Sequence, residues 1–350
     1  GRVEPRYEAL DKAQAALSEL KRLAAQCDEV LLATDPDREG EAIAWHLSEL
    51  LGAHRYQRVV FHAITKTEVL KAVAAPRPID LHLVAAQQAR RVLDRVVGWL
   101  VSPTLRRLGK EARSAGRVQS VALRLVAERE REIQAFDAKD YFILAATVEK
   151  PGTPPPFVAR LITWKGEALG QRLSDRAIAE QTVAWCRRQV WQVQTCDRRE
   201  QNRHAPPPFT TATVQQAASV RLARSPDQTM KLLQQLFEDG HITYHRTDSV
   251  ALAPEAIAEA RAVIAARFSK RYLPAQPIVH ATTAANAQEA HEAIRPTHAE
   301  IATLGSHPGA ELYELIWNRA VASQMQSAEL ERTTVDIVAQ NGARTIERVP

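Results

Sequence analysis

The tightest constraint on how this chain can fold is the step from the apolar run Val30-Leu31-Leu32-Ala33 into the acidic turn Asp35-Pro36-Asp37-Arg38-Glu39-Gly40-Glu41. A short apolar run beside a turn signal predicts a buried strand. Past the turn, Ile43, Leu47, Leu50 and Leu51 recur at i, i+4, i+7 and i+8, the spacing of an amphipathic helix. Strand, turn and helix in that order belong to an open α/β layer, which holds its ligands outside the carboxyl ends of its strands. Asp35, Asp37 and Glu39 alternate, so an extended turn would bring their carboxylates to one side. Three neighbouring carboxylates repel one another unless a cation lies between them. A few hard oxygen donors with room for water and phosphate suit Mg²⁺. The same residues would also make a solvated turn that caps the helix, and the turn alone leaves both readings open.

A chain of 350 residues has room for two or three domains. With 45% hydrophobic and 25% charged residues it has the composition of a soluble globular protein. No apolar run is long enough to span a membrane, and no secretory leader opens the sequence. Cys27, Cys186 and Cys196 form no C-x-x-C pair, which argues against a disulfide framework or zinc ribbon and predicts the reducing cytoplasm. The net charge is only +5, but it is unevenly spread. Between Arg90 and Arg124 stand nine Lys/Arg against Asp94 and Glu111, a net +7. Arginine predominates there, and its planar fork matches phosphate. Such a block fits a polyanion partner or, equally, a solvated helix surface.

Residues 1–76 alternate helix, strand and helix. There is no initiator Met, and the acidic strand lies so near the start that the chain reads as an internal fragment with earlier strands missing. From Ile79 to Phe136 the pattern is helical, with Val118, Val121, Ala122 and Leu125 as one apolar stripe. Ser114-Ala115-Gly116, just before that helix, offers backbone N–H groups as a phosphate cradle or a plain helix start. Tyr141 to Cys196 turns to β-branched and aromatic runs, predicting antiparallel strands with one or two helices. Helices follow at Thr211–Leu222 and Asp227–Asp239, the second announced by Ser225-Pro226-Asp227-Gln228 as a capping box. Further helices are expected near Pro254–Phe268 and Pro308–Gln324, and strand-like alternation returns from Thr333.

Reactive groups concentrate in Ile242-Thr243-Tyr244-His245-Arg246-Thr247-Asp248-Ser249. A tyrosine hydroxyl attacks phosphorus only if its proton is removed or shared. Arg246, two residues on in an extended segment, would point the same way and stabilise charge on phosphate oxygens. A packing tyrosine beside an exposed arginine is the plain alternative.

This segment resembles the active-site segment of the type IA DNA topoisomerases. Four more segments resemble the same family in the same order: Ala33 to Glu41, Gln87-Gln88-Ala89-Arg90-Arg91 running to Gly98, Ser114 to Ser120, and Gln288 to Pro296. Within the family, the bacterial topoisomerase I branch is the nearest likeness. The resemblance implies a multidomain α/β and α chain forming part of a toroidal core. Its expected parts are a TOPRIM α/β domain at 1–78, a helical DNA-binding domain at 79–136 and a β-rich hinge domain at 137–204. A helical, winged-helix-like domain with the active-site tyrosine would occupy 205–331, and 332–350 would return to the hinge.

The roles it implies are specific. Tyr244 attacks a phosphodiester of single-stranded DNA to give a 5′-phosphotyrosine, and resealing needs no ATP. Arg246 positions and polarises the phosphate. Asp35 and Asp37 bind Mg²⁺, with Glu39 completing or orienting the acidic group. His291 hydrogen-bonds the phosphate or an acidic neighbour and shuttles a proton. Arg90, Arg91, Asp94, Trp99 and Arg106 line the DNA groove, and Ser114, Ala115, Gly116, Arg117, Val118 and Gln119 contact the strand at a helix start. Trp99 either stacks a base or packs between helices. The expected partner is single-stranded DNA within negatively supercoiled duplex, for a monomer in the cytoplasm at the nucleoid. The family's first TOPRIM strand, with its glutamate and lysine, has no match before Asp35, so the isolated stretch is expected to be impaired. A topoisomerase III-like decatenase, a non-catalytic winged-helix DNA-binding protein and another TOPRIM enzyme stand as alternatives.

Overall fold

The computed structural model describes residues 5–52, 55–108, 114–150, 152–164, 167–168, 173–281, 292–339 and 344–349. Two compact units emerge, Gly1–Val126 with Ala205–Gln326 and Ala127–His204 with Ser327–Pro350.

The first unit opens with α1 (Asp11–Ala24), β1 (Glu29–Leu32), α2 (Arg38–Leu51), β2 (Arg55–Arg58) and α3 (Lys66–Ala74). The predicted strand and helix both form. β1 and β2 pair in parallel, with Leu32 opposite Arg58, and α2 is the crossover that parallel pairing requires. The helix face is not the one its periodicity suggested. Ile43 and Leu50 are 51% and 40% exposed, while Gly40, Glu41, Ala42, Ala44 and Leu51 are buried. Successive helix residues lie about 100° apart, and close packing of the helix start selects the small residues Gly40 and Ala44. A Cβ on Gly40 would collide with the backbone of Asp35.

The predicted helical stretch is two helices, α4 (Leu81–Leu108) and α5 (Arg117–Gln134). Asp80 begins α4 by accepting the amides of His82 and Leu83 on its carboxylate. The stripe expected to be a core face on α5 is not one: Val118, Val121 and Leu125 are exposed, and no α5 residue is buried. Among the described residues nothing packs over that face.

In the second unit, β3 (Ala145–Lys150), β4 (Thr153–Trp164), β5 (Glu167–Ala168), α6 (Arg176–Cys186) and β6 (Trp191–Arg203) bear out the expected β-rich stretch.

The chain then returns to the first unit through α7 (Thr211–Leu222), α8 (Pro226–Glu238), α9 (Pro254–Arg267), a 3₁₀ turn at Lys270–Tyr272 and α10 (Ala310–Ala322). Thr210 and Ser225 close capping boxes on α7 and α8, the second with Pro226 in the first turn as its sequence announced. Leu233, Leu236, Ile242, Ile264, Ile294 and Ile316 form the core between these helices. After α8, Gly240 adopts φ +76°, and a Cβ there would lie 2.7 Å from the Ile64 carbonyl oxygen. The extended segment that follows makes only isolated bridges, Ile242 with Pro296, and Phe209 with Ile294 nearby.

Finally β7 (Ala328–Ala339) and β8 (Arg344–Val349) complete the second unit's sheet. Its order is β3-β4-β8-β7-β6, with β5 beside β4. β6 and β7 pair from Trp191–Ala339 to Arg203–Ala328. Trp164 meets Trp185 edge-on at 4.6 Å, beside buried Leu161 and Ala339.

Candidate active site

The acidic turn and the tyrosine segment meet within the first unit. α2 begins at Arg38, so Asp37 is its N-cap, with Oδ1 accepting the Gly40 amide at 2.7 Å. Thr34 Oγ1 donates to the Gly40 carbonyl at 2.6 Å and closes the turn. The helix start also corrects the expected geometry. Glu39 lies in the first helical turn, not on an extended stretch, and its carboxylate faces Arg90 at 3.8 Å. Among the described residues no group of three His, Cys, Asp or Glu is placed to hold a metal ion.

The segment after Gly240 is pinned from both sides. The Thr243 amide donates to the Arg295 carbonyl, and its hydroxyl donates to that of Ala293 at 2.7 Å. The Tyr244 amide donates to the His62 carbonyl at 2.8 Å. Thr211, at the start of α7, donates its hydroxyl to the carbonyls of His245 and Thr247 and accepts the Thr247 amide. Backbone placed this way turns Tyr244 toward the acidic turn. Its hydroxyl donates to Asp37 Oδ2 at 2.6 Å, and Arg246 Nη1 lies 3.8 Å from the same oxygen.

Tyr244 is 2% exposed. Burial first, then the hydrogen bond and charge of Asp37, hold its phenol far above the ordinary range. Burial, with repulsion from Asp37, likewise pushes the Asp35 carboxyl up, against the pull of Arg246. Two hard carboxylates on one short turn are a donor set that fits Mg²⁺, which takes one or two carboxylates and completes its shell with water and phosphate. Asp35 and Asp37 therefore fit the ion, while Glu39 is directed to Arg90. His245 is fully buried between Phe237 and Tyr244. Its Nδ1 has no hydrogen-bond partner among the described residues. Burial, and then Arg246, push its imidazole down to about 4.

A cleft of about 480 Å³ opens beside this contact, lined by Asp37, Arg38, Glu39, Arg90, Arg246 and the first turn of α7. Glu39 and Arg90 are shared with a second cavity of about 600 Å³ along α4, which adds Arg91, Asp94, Arg95 and Trp99. Trp99 is 66% exposed with the Arg95 guanidinium 5.8 Å from its ring centre. Of the other groove residues expected, Arg106 is exposed at the far end of α4. Asp94 and Arg117 bind each other at 2.8 Å. Around the expected cradle, the Ala115 amide donates to Ser102 Oγ at 3.1 Å and Gln119 donates to Ser114 Oγ. Gly116 is partly buried, and Val118 and Gln119 are exposed. His291 and the preceding residues Gln288 to Ala290 lie outside the described residues.

Sequence reasoning missed Arg38, which stands inside the acidic turn, and Thr211, which lies far from the tyrosine segment in sequence and carried no local signal. It also missed Glu41 and Arg58, a buried pair at 3.0 Å. Among the described residues no helix is long and apolar enough to cross a membrane.

The comparisons with known proteins agree with one another. The family model described as DNA topoisomerase matches residues 78–348, and the Toprim domain model matches residues 5–64. The DNA topoisomerase 1 of Zymomonas mobilis is 45% identical over 342 residues, covering 96% of this chain and 28% of that protein. The Escherichia coli DNA topoisomerase 1 is 41% identical over 352 residues, covering 96% of this chain and 39% of the relative. The full-length topoisomerase I structure from Thermotoga maritima superposes with a TM-score of 0.81 at 35% identity, over 99% of this chain and 57% of that one. The chain thus spans less than half the length of these two curated relatives. An α/β Toprim part, mainly helical parts and a β-rich part are what the resemblance implied and what these matches bear out. With a family model matched over most of its length, the chain belongs to the type IA bacterial DNA topoisomerases.

Proposed function

We propose that the chain carries the cleavage and resealing centre of an ATP-independent topoisomerase that opens one DNA strand through Tyr244 and relaxes negative supercoils. The observation that carries this reading is the shared oxygen of Asp37, which accepts from Tyr244 and faces Arg246 on an arginine-lined cleft.

The chemistry follows from the residues. A phosphodiester entering the cleft is held by Arg246, whose guanidinium offsets charge developing on the phosphate oxygens. Tyr244 Oη forms a bond to phosphorus while the bond from phosphorus to the 3′-oxygen breaks. The phenolic proton passes to Asp37 Oδ2 and from there to solvent, while the departing 3′-oxygen takes a proton from solvent water, so the proton count is unchanged. A phenol this disfavoured as an anion releases its proton only as the new bond forms. The product is a 5′-phosphotyrosine, an ester that preserves the energy of the broken bond, so the 3′-hydroxyl reverses the step without ATP. Asp35 and Asp37 would hold Mg²⁺, which when bound would supply positive charge to offset their carboxylates. Glu39 orients this group through Arg90, and His291 is kept as a phosphate or proton partner.

Arg90, Arg91 and Arg106, with Arg117 and the helix start from Ser114 to Gln119, would hold phosphate and sugar with little sequence preference. Trp99, exposed on the groove wall, would stack a base. The strand should be single, as only an unpaired strand exposes bases to such a wall. The test uses one oligonucleotide labelled separately at each end. After incubation and denaturation, the 3′-end label should stay with the protein and the 5′-end label should be released. Retention of the 5′ label, or of neither label, would defeat the reading.

A further inference from the structure

The most heavily paired carboxylate in the first unit takes no part in the chemistry above. Glu41 is 1% exposed, in the first turn of α2. Its Oε1 accepts from Arg77 Nη1 at 2.9 Å and from the Asp80 amide at 2.6 Å. Its Oε2 accepts from Arg58 Nε at 3.0 Å and from Arg77 Nη2 at 2.9 Å. One carboxylate therefore ties α2 to Arg58 at the end of β2 and to the stretch 77–80 that leads into α4.

Each segment leads to part of the candidate site. Arg58, fully buried, donates Nη1 to the carbonyls of Leu32 and Val59, and Nη2 to the carbonyl of Asp35 at 2.5 Å. That guanidinium fixes the backbone of the acidic turn. Arg58 and Arg77 also exchange backbone hydrogen bonds, 2.7 and 2.9 Å. Asp80 is the residue that caps α4, and α4 carries Arg90 and Arg91 along one rigid rod. An apolar core would tie the same elements with less electrostatic cost, so the charges set geometry more than stability.

We propose that Glu41, gripped by Arg58 and Arg77, is a positioning residue that locks α4 in register with the acidic turn, so that a strand held by Arg90 and Arg91 presents its phosphate at Tyr244. This rests on the cleavage function proposed above. Small misplacement of a bound phosphate costs rate rather than affinity.

Arg77→Gln is the variant to test, because Arg77 is the partly exposed member of the cluster. Glu41→Gln leaves the Arg58 charge buried and unpaired and serves as the second, harsher variant. Three readouts are taken on the protein: affinity for a single-stranded oligonucleotide, the rate of covalent adduct formation at saturating DNA, and amide hydrogen exchange. Arg77→Gln should keep the Kd within about two-fold while slowing adduct formation by about ten-fold or more. Exchange should quicken together at residues 38–41 and 82–84. Arg77→Lys, which restores a charge beside Glu41, should recover most of the rate. The proposal is overturned if affinity falls in step with cleavage, if cleavage is unchanged, or if only one of the two segments loosens. Should the unaltered protein form no adduct, the cleavage function fails, and the paired or unpaired change in exchange still decides the coupling.

Discussion

The Tyr244 hydroxyl and Asp37 Oδ2, 207 residues apart in sequence, lie 2.6 Å apart in the fold. Asp37 also caps α2 through the Gly40 amide, so the helix start that shapes the acidic turn fixes the phenol's partner too. Asp35 has no such cap, and its carboxyl is pushed up by burial and by Asp37.

That asymmetry sets the effect of replacing Asp35. A carboxyl raised in the folded state contributes stability that is full below its unfolded value and lost as pH rises through the folded one. At neutral pH the ionised Asp35 is therefore a net cost. Asp35→Asn should raise the thermal midpoint of the metal-free protein by about 1–2 °C, on the order of 0.5 kcal/mol once solvent screening is allowed for. It should also remove the rise in midpoint that Mg²⁺ gives. A lowered midpoint, or an unchanged response to Mg²⁺, would count against the paired-carboxylate site.

His245 predicts an acid-sensitive fold. Its imidazole, pushed down to about 4 by burial and Arg246, stays neutral when folded and gains a proton more readily when unfolded. Stability is therefore full above the ordinary imidazole range and falls as pH drops toward 4, by on the order of 2–3 kcal/mol. His245→Met should flatten this profile in denaturant titrations between pH 7 and 4. It should also stabilise the protein at neutral pH by about 1 kcal/mol, because a buried nitrogen without a partner is removed. A profile unaltered by the substitution would place the acid-sensitive group elsewhere.

Groove residues should separate by the kind of contact they make. Arg90→Ala should weaken single-stranded DNA binding and lower the slope of log affinity against log salt by roughly 0.7, one phosphate's worth on a single strand. Trp99→Ala should cost about 1–3 kcal/mol with the slope unchanged. Fluorescence anisotropy over a salt series reads both. Identical slopes for Arg90→Ala and the unaltered protein would remove Arg90 from the phosphate track.

Gly40→Ala tests the turn itself. The added methyl meets the backbone of Asp35, and neither helix nor strand can give way without moving Asp37. The expected loss is about 2 kcal/mol or more, with the Mg²⁺ response lost as well. A substitution tolerated at full stability would mean the turn is looser than its contacts indicate.

What the sequence disclosed and what it hid divide along physical lines. The strand before Asp35 and the capping box at Ser225 were legible because each depends on neighbours within a few residues, whereas Tyr244 stood out only through the family resemblance. The resemblance paired the acidic turn with Tyr244, but neither motif carried a local sign that Asp37 would be the shared atom. Glu39 misled because alternation implies a common side only in extended chain, and the helix had already begun at Arg38. Ile43 and Leu50 misled for a related reason: the face of α2 is set at its start, where Gly40 packs against the backbone of Asp35 and Ala44 is fully buried. The Glu41 cluster was invisible because its partners come from two other segments, Arg58 and residues 77–80, and their spacing follows no period.

The identity of the amino acid joined to DNA is the most direct test of the account. A trapped complex with single-stranded DNA, digested by nuclease and protease, can be read by tandem mass spectrometry. A nucleotide is expected on the peptide containing Tyr244, at the tyrosine oxygen, with no adduct from Tyr244→Phe. A nucleotide on any other side chain, or an adduct that survives Tyr244→Phe, would contradict it.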